Sequence, residues 1–433
     1  MPASEVERLV LEHAGEYRDR VYSPLSTLGL FVGQALSQDG ACQDAVARNL
    51  SERTARGVRG CSLNTGPYCK ARQRLPVELI VELQRALARR MEQGQPRAWR
   101  WHGRSVKLLD GTTVSMPDTP DNQESFPQSS SQQPGLGFPV ARLVAIVSLG
   151  NGALLDWAMG ACQGEESSEQ GLFRQLLGAL DPGDLVLADG YHCTYWTLAL
   201  LKERGVDLLM PQHVSRTYDF RRGKRLGRGD HIVQWVRPRR SPWMDQHSYA
   251  GMPETLSVRE VRIGERVLVT TLLDAHSASP VELDRLYRSR WNIEVDLRSI
   301  KAEMGMDILR CKSPEMVRKE VAVHLLAYTL VRAVMAQAAS LAQVLARALS
   351  FKGATQVLNA YHQQLRYSAG ARISLMIAHV LGALATLRLP CRPPRVEPRA
   401  IKRRPKPHRL LSVPRPLARL QILTQRPLAK VVP

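Results

Sequence analysis

The sequence lacks several features that would assign a protein to a class at once. Its cysteines form no CxxC pair and its histidines complete no zinc spacing, so reduced thiols are predicted rather than a metal site or a disulfide framework. The N-terminal stretch MPASEVERLV has no charged start followed by an apolar run, which predicts no secretory signal. The longest apolar stretch, VAVHLLAYTLVRAVMAQAA, is interrupted by His324 and Arg332. It predicts a buried helix of a cytoplasmic protein without a membrane partner.

Acidic residues are scarce relative to basic ones. The 433 residues include 60 Lys and Arg against 40 Asp and Glu, a formal net charge of +20. Such a surplus predicts a polyanionic partner, because basic side chains gain affinity by displacing counterions from nucleic acid. The alternative is a basic protein that has no such ligand. Hydrophobic residues make up 44% of the chain, which is enough for a sizeable core.

The pattern of the chain changes several times along its length. SVKLLDGTTVSM predicts a strand, and ARLVAIVSLGNGALLDWAMG predicts a hairpin that turns at Gly150, Asn151 and Gly152. Helical and strand patterns then alternate, which predicts an α/β domain with a β-rich insertion and helical ends. The predicted regions are a helical region over 1–104, an α/β unit over 105–212, a β-rich insertion over 213–275, the rest of the α/β unit over 276–338, C-terminal helices over 339–387 and a basic Pro-rich tail over 388–433.

The two ends of the chain are basic. Lys70, Arg72 and Arg74 lie in a short predicted helix that would suit binding against DNA, in a pattern similar to a helix-turn-helix. The alternative is a small helical domain with a solvated basic face. From Arg388 onward, thirteen Lys and Arg face one acid, Glu397, in Pro-rich sequence. This composition predicts an extended or disordered tail.

Three carboxylates occupy places where active sites are built. Asp110 is predicted at the end of the strand VKLLD, Asp189 at the end of LVLAD, and Glu294 on a helix after the insertion. Converging carboxylates repel one another unless cations lie between them, and hard oxygen ligands suit Mg²⁺ or Mn²⁺. Two such ions can hold the attacking and leaving oxygens of a phosphodiester displacement.

Each acid also has a simpler explanation. The Asp-Gly pairs at 110 and 189 are typical of turns at strand ends. Glu294 lies four residues from Arg290 and from Arg298, so it could form ordinary ion pairs on a helix surface. His192 follows the second aspartate and is expected to pack or hydrogen bond beside the site.

The segment YRSRWNIEVDLRSIK places Tyr287, Arg290, Glu294 and Lys301 at spacings of three, four and seven, which predicts one helix with all four on roughly one face. These residues and spacings resemble the YREK signature of DDE transposases of bacterial insertion sequences, the insertion-sequence-four-like group. LDGTTV and LADGYH are similar to the first and second aspartate motifs of that group. The resemblance covers roughly residues 105–305.

The resemblance implies an RNase H-like catalytic core interrupted by the insertion. It implies that Asp110, Asp189 and Glu294 bind two divalent metal ions, and that Tyr287, Arg290 and Lys301 hold DNA phosphates. It further implies double-stranded DNA partners, namely terminal inverted repeats and target DNA, and a homodimer in the synaptic complex. The location would be the bacterial cytoplasm, at the nucleoid.

Members with such insertions release their element through a hairpin on its end, and a tryptophan of the insertion can hold a flipped base. Trp235 and Trp243 are the candidates here, although tryptophans of a β-rich unit are more often part of a core. Two other functions stay open: a nuclease of the same fold, and an inactive or domesticated DNA-binding protein.

Overall fold

A computed structural model describes residues 1–17, 20–37, 39–390 and 409–425. In this part of the chain the strands are β1 Val106–Ser115, β2 Val140–Ser148, β3 Leu154–Ala161, β4 Leu185–Leu187, β5 Asp207–Pro211, β6 Lys224–Gly227, β7 Asp230–Val236, β8 Thr255–Ile263 and β9 Arg266–Thr270. The helices are α1 Ala3–Ala14, α2 Pro24–Ala35, α3 Cys42–Ala55, α4 Gly66–Arg74, α5 Val77–Gln93, α6 Pro120–Ser125, α7 Glu169–Gln175, α8 Tyr195–Glu203, α9 Gln246–Gly251, α10 Pro280–Arg288, α11 Trp291–Arg298, α12 Pro314–Leu341, α13 Phe351–Tyr367, α14 Ala371–Thr386 and α15 Arg415–Gln425.

One mixed sheet forms the centre of the fold. Its strand order is β3-β2-β1-β4-β5-β9-β8-β7-β6. Strands β1, β2 and β3 are antiparallel neighbours, whereas β1, β4 and β5 run parallel. The first five strands of this order form the expected RNase H-like core, and the predicted hairpin joins β2 to β3. The predicted α/β class is therefore confirmed.

The β-rich insertion extends the core sheet. Each of its strands β6 to β9 pairs antiparallel with the next one in the chain, and β9 also pairs with β5 of the core. A β-rich insertion was expected to interrupt the core, yet its strands continue the core's own hydrogen-bonded ladder. The boundaries given above for the six regions stay predictions.

Strand β1 is longer than its sequence pattern indicated. Asp110 lies in the middle of β1, opposite Ala145 of β2, rather than at a strand end. The Asp-Gly pair looked like a turn signal, but Gly111 lies within the strand, where the neighbouring Glu169 leaves no room for a side chain. A Cβ at Gly111 would lie 2.8 Å from the carboxyl group of Glu169, so a side chain there would displace that acid.

Alternate residues of β1 face two separate cores. Leu108 packs in the cluster that includes residues of α10, α11 and α12, while Leu109 packs in the cluster that includes α7 and α8. Because side chains alternate along a strand, Asp110 and Thr112 face the same side as Leu108, toward α11.

The YREK signature was expected on one continuous helix, but its residues lie on α10, in the turn after it, on α11 and on a π-helical turn. Helix α10 begins with the predicted Ser279 cap and a capping box to Glu282. It ends at Arg288, and α11 begins at Trp291. The backbone N–H groups of Ser289 and Arg290 bond to carbonyls three residues earlier, which tightens the chain between the helices. A π-helical turn, Ser299–Glu303, follows α11 and carries Lys301.

A buried ion-pair network fixes α11 in place. The fully buried carboxylate of Asp296 accepts hydrogen bonds from Arg332 of α12 at 2.5 Å and from Arg347 at 2.6 Å. Arg347 also donates to the carbonyls of Ser148 and Leu149, at the end of β2. One carboxylate thereby connects α11, α12 and the β2–β3 hairpin.

Helix α12 is the central helix of the fold. It packs against α2, α5, α13 and α14. By length and composition it is the one described helix that could cross a membrane, and 72% of its most apolar window is buried inside the protein. The burial agrees with the predicted buried helix.

Helix α4 carries the basic segment that was predicted to face DNA. One of its three cations, Arg72, points into the protein instead. Arg72 is buried, with its guanidinium 4.0 Å from the centroid of the Phe31 ring. Its two terminal nitrogens lie 3.0 Å from Cys42 Sγ and 3.2 Å from Cys311 Sγ. Lys70 and Arg74 are exposed.

The predicted extended tail falls mostly on residues 391–408 and 426–433, which lie outside the described residues. Within the described part of the tail, Arg415–Gln425 forms helix α15, so the expectation is wrong for that segment.

Candidate active site

The two aspartates lie on neighbouring parallel strands. Asp110 lies within β1, and Asp189 follows β4 by two residues. The Asp189 carboxylate accepts a hydrogen bond from the backbone N–H of Tyr191 at 3.0 Å, which fixes the 3₁₀ turn Gly190–His192. Pairing of β1 with β4 therefore brings together two acids that are far apart in sequence.

Arg290 connects the third acid to the first. Its guanidinium donates to Glu294 Oε1 at 2.6 Å and to Asp110 Oδ2 at 3.3 Å. The simpler alternative for Glu294, an ion pair with Arg290, is thus present in the structure. The same arginine also reaches Asp110 across 180 residues of sequence, so the pair belongs to a cluster and not to an isolated helix surface.

Burial and mutual repulsion shape the charge of this cluster. Burial, together with smaller contributions from the neighbouring Asp189 and Glu294, raises the pKa of Asp110 to about 6. The backbone N–H of Gly111 and the Arg290 guanidinium oppose that rise. Asp189 and Glu294 therefore lie close enough to disfavour the charge of Asp110, in a half-buried place where an added cation would relieve the repulsion.

The donor types of the three carboxylates suit a divalent metal ion, but with Arg290 between two of them their arrangement does not form a ligand group. Carboxylate oxygens are hard ligands, and Glu294 Oε2 and Asp189 Oδ2 accept no hydrogen bond from the residues described. Arg290 supplies the positive charge between Asp110 and Glu294. Within residues 1–17, 20–37, 39–390 and 409–425, no group of three or more His, Cys, Asp or Glu side chains is arranged to hold a metal ion.

The other two signature residues flank the cluster. Lys301 Nζ donates to Thr112 Oγ1 at 3.1 Å, which places this cation beside β1, two residues beyond Asp110. Tyr287 is buried, and burial raises the pKa of its hydroxyl while the charge of the neighbouring Arg290 opposes that rise. The Arg266 guanidinium lies 5.3 Å from the centroid of its ring.

Two aromatic side chains beside the site were not predicted from the sequence. Trp291, the first residue of α11, is 57% exposed, and Tyr191 is 45% exposed. Trp291 directly follows Arg290, and Tyr191 lies two residues after Asp189. A mostly exposed tryptophan contributes little to the core. Its place directly after Arg290 is the sequence signal that could have identified it.

His192 packs beside the site as expected, and both tryptophans of the insertion are packed. His192 is buried edge-on against Phe173 and Tyr191, and burial lowers its pKa to about 4, which keeps the ring neutral. Trp235 is buried and donates to Glu260 Oε1 at 3.0 Å. Trp243 packs against Arg174 and Trp196.

The raised pKa of Asp110 gives a prediction for metal-free protein. In the unfolded chain this carboxyl titrates near about 3.9. The folded state therefore binds more protons between about pH 4 and 6, and the carboxylate destabilises the fold above that window. We expect Asp110→Asn to increase the free energy of unfolding at pH 7 by up to about 3 kcal/mol, and by about half as much at pH 5.

Urea unfolding in EDTA at the two pH values measures this effect. Asp284→Asn is the matched control, because Asp284 forms an ordinary surface ion pair with Arg288. A gain at Asp110 that is equal at both pH values would contradict the assigned titration.

Comparison with known proteins identifies the family of this chain. A family profile described as "Transposase DDE domain" matches residues 101–330, just over half of the chain. The chain is 29% identical over 350 residues to transposase InsG for insertion sequence element IS4 of Escherichia coli strain K12, covering 78% of this chain and 76% of that protein. A cryo-EM structure of a piggyBac transposase synaptic complex with hairpin DNA aligns over 86% of this chain and 80% of its own, with a TM-score of 0.44 and 9% identity. The chain belongs to the family of DDE transposases, those of insertion sequences, which cut DNA with divalent metal ions.

Proposed function

We propose that Asp110, Asp189 and Glu294 are the catalytic carboxylates of this insertion-sequence transposase. The supporting observation is the bridge that Arg290 forms between Asp110 and Glu294, on the side of β1 that faces α11. Asp189 joins the pair because β4 runs beside β1. The reaction is DNA cleavage at the element ends, followed by strand transfer.

The carboxylates would hold two divalent ions, Mg²⁺ or Mn²⁺. When bound, such ions stabilise charge on the attacking and leaving oxygens of a phosphodiester. The chain's own contribution is to hold three acids oriented in a half-buried site, where bound cations would relieve the repulsion at Asp110. Two steps share this site: water is the nucleophile in cleavage, and the freed 3′ hydroxyl is the nucleophile in joining. No covalent enzyme intermediate is required.

Arg290 and Lys301 would bind the phosphates on either side of the cut. Both are cations within reach of β1, and arginine suits phosphate because its planar donors can bind two oxygens at once. Tyr287 is largely buried beside Arg290, so we propose that it helps to hold the guanidinium at the phosphate. Phosphate contacts of this kind fix the register of the DNA strand.

The helical N-terminal region would recognise the element ends. A cleft of about 1300 Å³ lies between the segments around α2 and α4, and its lining contains four cations, Arg20, Arg59, Lys70 and Arg74, against one acid, Glu16. None of the four cations forms an ion pair within the described part of the chain, so their charge is available to phosphates. The basic insertion and tail would add sequence-independent affinity.

The active form would be a homodimer in the synaptic complex, in the bacterial cytoplasm and without a membrane partner. The helices between 314 and 386 are candidates for the contacts between copies. Sedimentation of a single copy on paired end DNA would refute the dimer, and recovery of the protein with membranes after lysis would refute the location.

Glu294→Gln tests the catalytic assignment. The change keeps the shape of the side chain and its acceptor for Arg290 but removes the charge. We expect cleavage of DNA carrying the element's ends to need Mg²⁺, to stop in EDTA and to fall by at least about 10³-fold in the variant, with end binding retained. Asp284→Asn serves as control. Wild-type protein that binds the ends but never cuts them, with either Mg²⁺ or Mn²⁺, would favour the noncatalytic DNA-binding alternative.

Trp291→Ala tests the hairpin step. An extruded base needs an aromatic surface that is open to the DNA, and Trp291 is exposed beside Arg290 whereas Trp235 and Trp243 are packed. On a gel that resolves hairpinned from nicked ends, we expect the variant to accumulate nicked ends. Trp235→Phe and Trp243→Phe are the comparisons, and normal hairpin formation by Trp291→Ala would exclude this role.

The double variant Lys70→Ala, Arg74→Ala tests the cleft. We expect end-specific binding to weaken by roughly tenfold or more at moderate salt, because two phosphate contacts are lost. The slope of log affinity against log salt should fall by about 0.9 for each lost contact. The matched control is Lys202→Ala, Arg204→Ala, which removes two exposed cations near the end of α8. Unchanged end binding in a gel-shift titration would mean that another region reads the ends.

A further inference from the structure

One free edge of the nine-stranded sheet is strongly basic. Strand β6 is the last strand at this end, and no described strand pairs with its outer side. It carries Lys224 and Arg225, and Arg228 lies in the turn to β7. All three side chains are exposed, and none lies within ion-pair distance of a carboxylate in the described ranges. We call Lys224, Arg225 and Arg228 the basic edge.

The acids nearest to the basic edge in sequence already have partners. Asp219 pairs with Arg221 and Arg222, so this loop remains positive. Asp230 is buried against Arg259, with two hydrogen bonds of 2.8 and 2.6 Å. The charge of the basic edge is therefore not compensated from the strand beside it.

A cation–aromatic stack supports the loop that leads to β6. The Arg262 guanidinium lies 4.7 Å from the centroid of the Phe220 ring and 5.1 Å from that of Tyr218. Phe220 packs in turn against the buried His231 of β7. The loop is thus held against the sheet, which gives the basic edge a fixed support.

We infer that the basic edge binds the backbone of duplex DNA without regard to sequence, and that this duplex is the target into which the freed ends are joined. The inference rests on the proposed function. Long cationic side chains contact phosphates, and the outward N–H groups of an edge strand can donate to phosphate oxygens. Such contacts position DNA but carry no sequence information.

The position of the edge separates it from the cut. In the strand order, five steps lead from β4, which precedes Asp189, to β6. At about 4.8 Å per step this is roughly 24 Å, or about seven base pairs of duplex. The basic edge therefore lies too far away to hold the scissile phosphate. Target DNA needs sequence-independent binding, whereas the element ends need recognition, for which the N-terminal cleft is the candidate.

The same cations have another possible use. Lysine and arginine on an edge strand discourage pairing with a second sheet, which protects a protein from aggregation. That role requires no DNA. The two explanations differ in what the loss of the charges changes, namely DNA binding or the oligomeric state.

The experiment uses the full chain with Lys224→Gln, Arg225→Gln and Arg228→Gln combined. Binding to a duplex without element ends is measured between 50 and 200 mM salt, and joining of pre-cleaved ends is measured against target concentration. A second variant, Arg228→Glu alone, changes only the turn. The control is Lys202→Gln, Arg204→Gln and Lys312→Gln, three exposed cations elsewhere.

We expect the salt dependence of duplex binding to fall by about 3, which corresponds to about 0.9 per phosphate contact. The target concentration for half-maximal joining should rise, while end cleavage and maximal joining rate stay unchanged. An unchanged salt dependence overturns the inference, as does a loss of end binding equal to the loss of target binding. Aggregation with normal duplex binding would assign the charges to edge protection. Failure of the wild type to cleave or join refutes the proposed function instead, since the salt measurement needs no catalysis.

Discussion

The buried carboxylate of Asp296 holds together the parts of the fold on which the site depends. It accepts hydrogen bonds from Arg332 and Arg347, and Arg347 continues to the carbonyls at the end of β2. Removing one member of such a network leaves a buried charge without a partner, which typically costs about 3–5 kcal/mol. Glu294 lies two residues before Asp296 and so points away from it, toward β1. The side of α11 that carries Asp296 is anchored to α12, and the opposite side presents Glu294 to the site.

The site itself has the opposite character. Its carboxylates are crowded and half-buried, and one guanidinium is shared between two of them. Arg290 is always charged, so it lowers the cost of this crowding without a change in protonation. Unfavourable electrostatics at a site of this kind is tolerated because the surrounding network is satisfied. Asp296 and Asp110 lie on the neighbouring elements α11 and β1. The favourable ion pairs of Asp296 offset the unfavourable repulsion at Asp110.

The sequence predicted the elements well and their long-range relations less well. The hairpin at Gly150–Gly152 and the cap at Ser279 depend on local chemistry, and both are present. The place of Asp110 within β1 depends on pairing with Ala145 of β2, which is 35 residues away, and an isolated Asp-Gly pair looks like a turn. The pairing of β9 with β5 likewise joins distant segments, so the shared sheet had no local signal.

For the candidate site, the spacing of the signature singled out four residues but could not predict which of them are buried. Tyr287 is inside the protein and Trp291 is outside, a difference that depends on the break between α10 and α11. Helical spacing assumes one unbroken helix and cannot place residues on either side of a tightened turn. Arg72 is a similar case, because the acceptors that bury it come from α3 and from a segment far along the chain.

That contact has a consequence for the evolution of DNA specificity. The guanidinium of Arg72 joins the N-terminal helices to Cys311, which lies ten residues after Lys301. A recombination event that exchanged only residues 1–104 between related elements would import an arginine or a thiol without its counterpart. Successful chimeras should therefore inherit the segment around Cys311 together with the helical region, and selection would treat the two as one heritable unit.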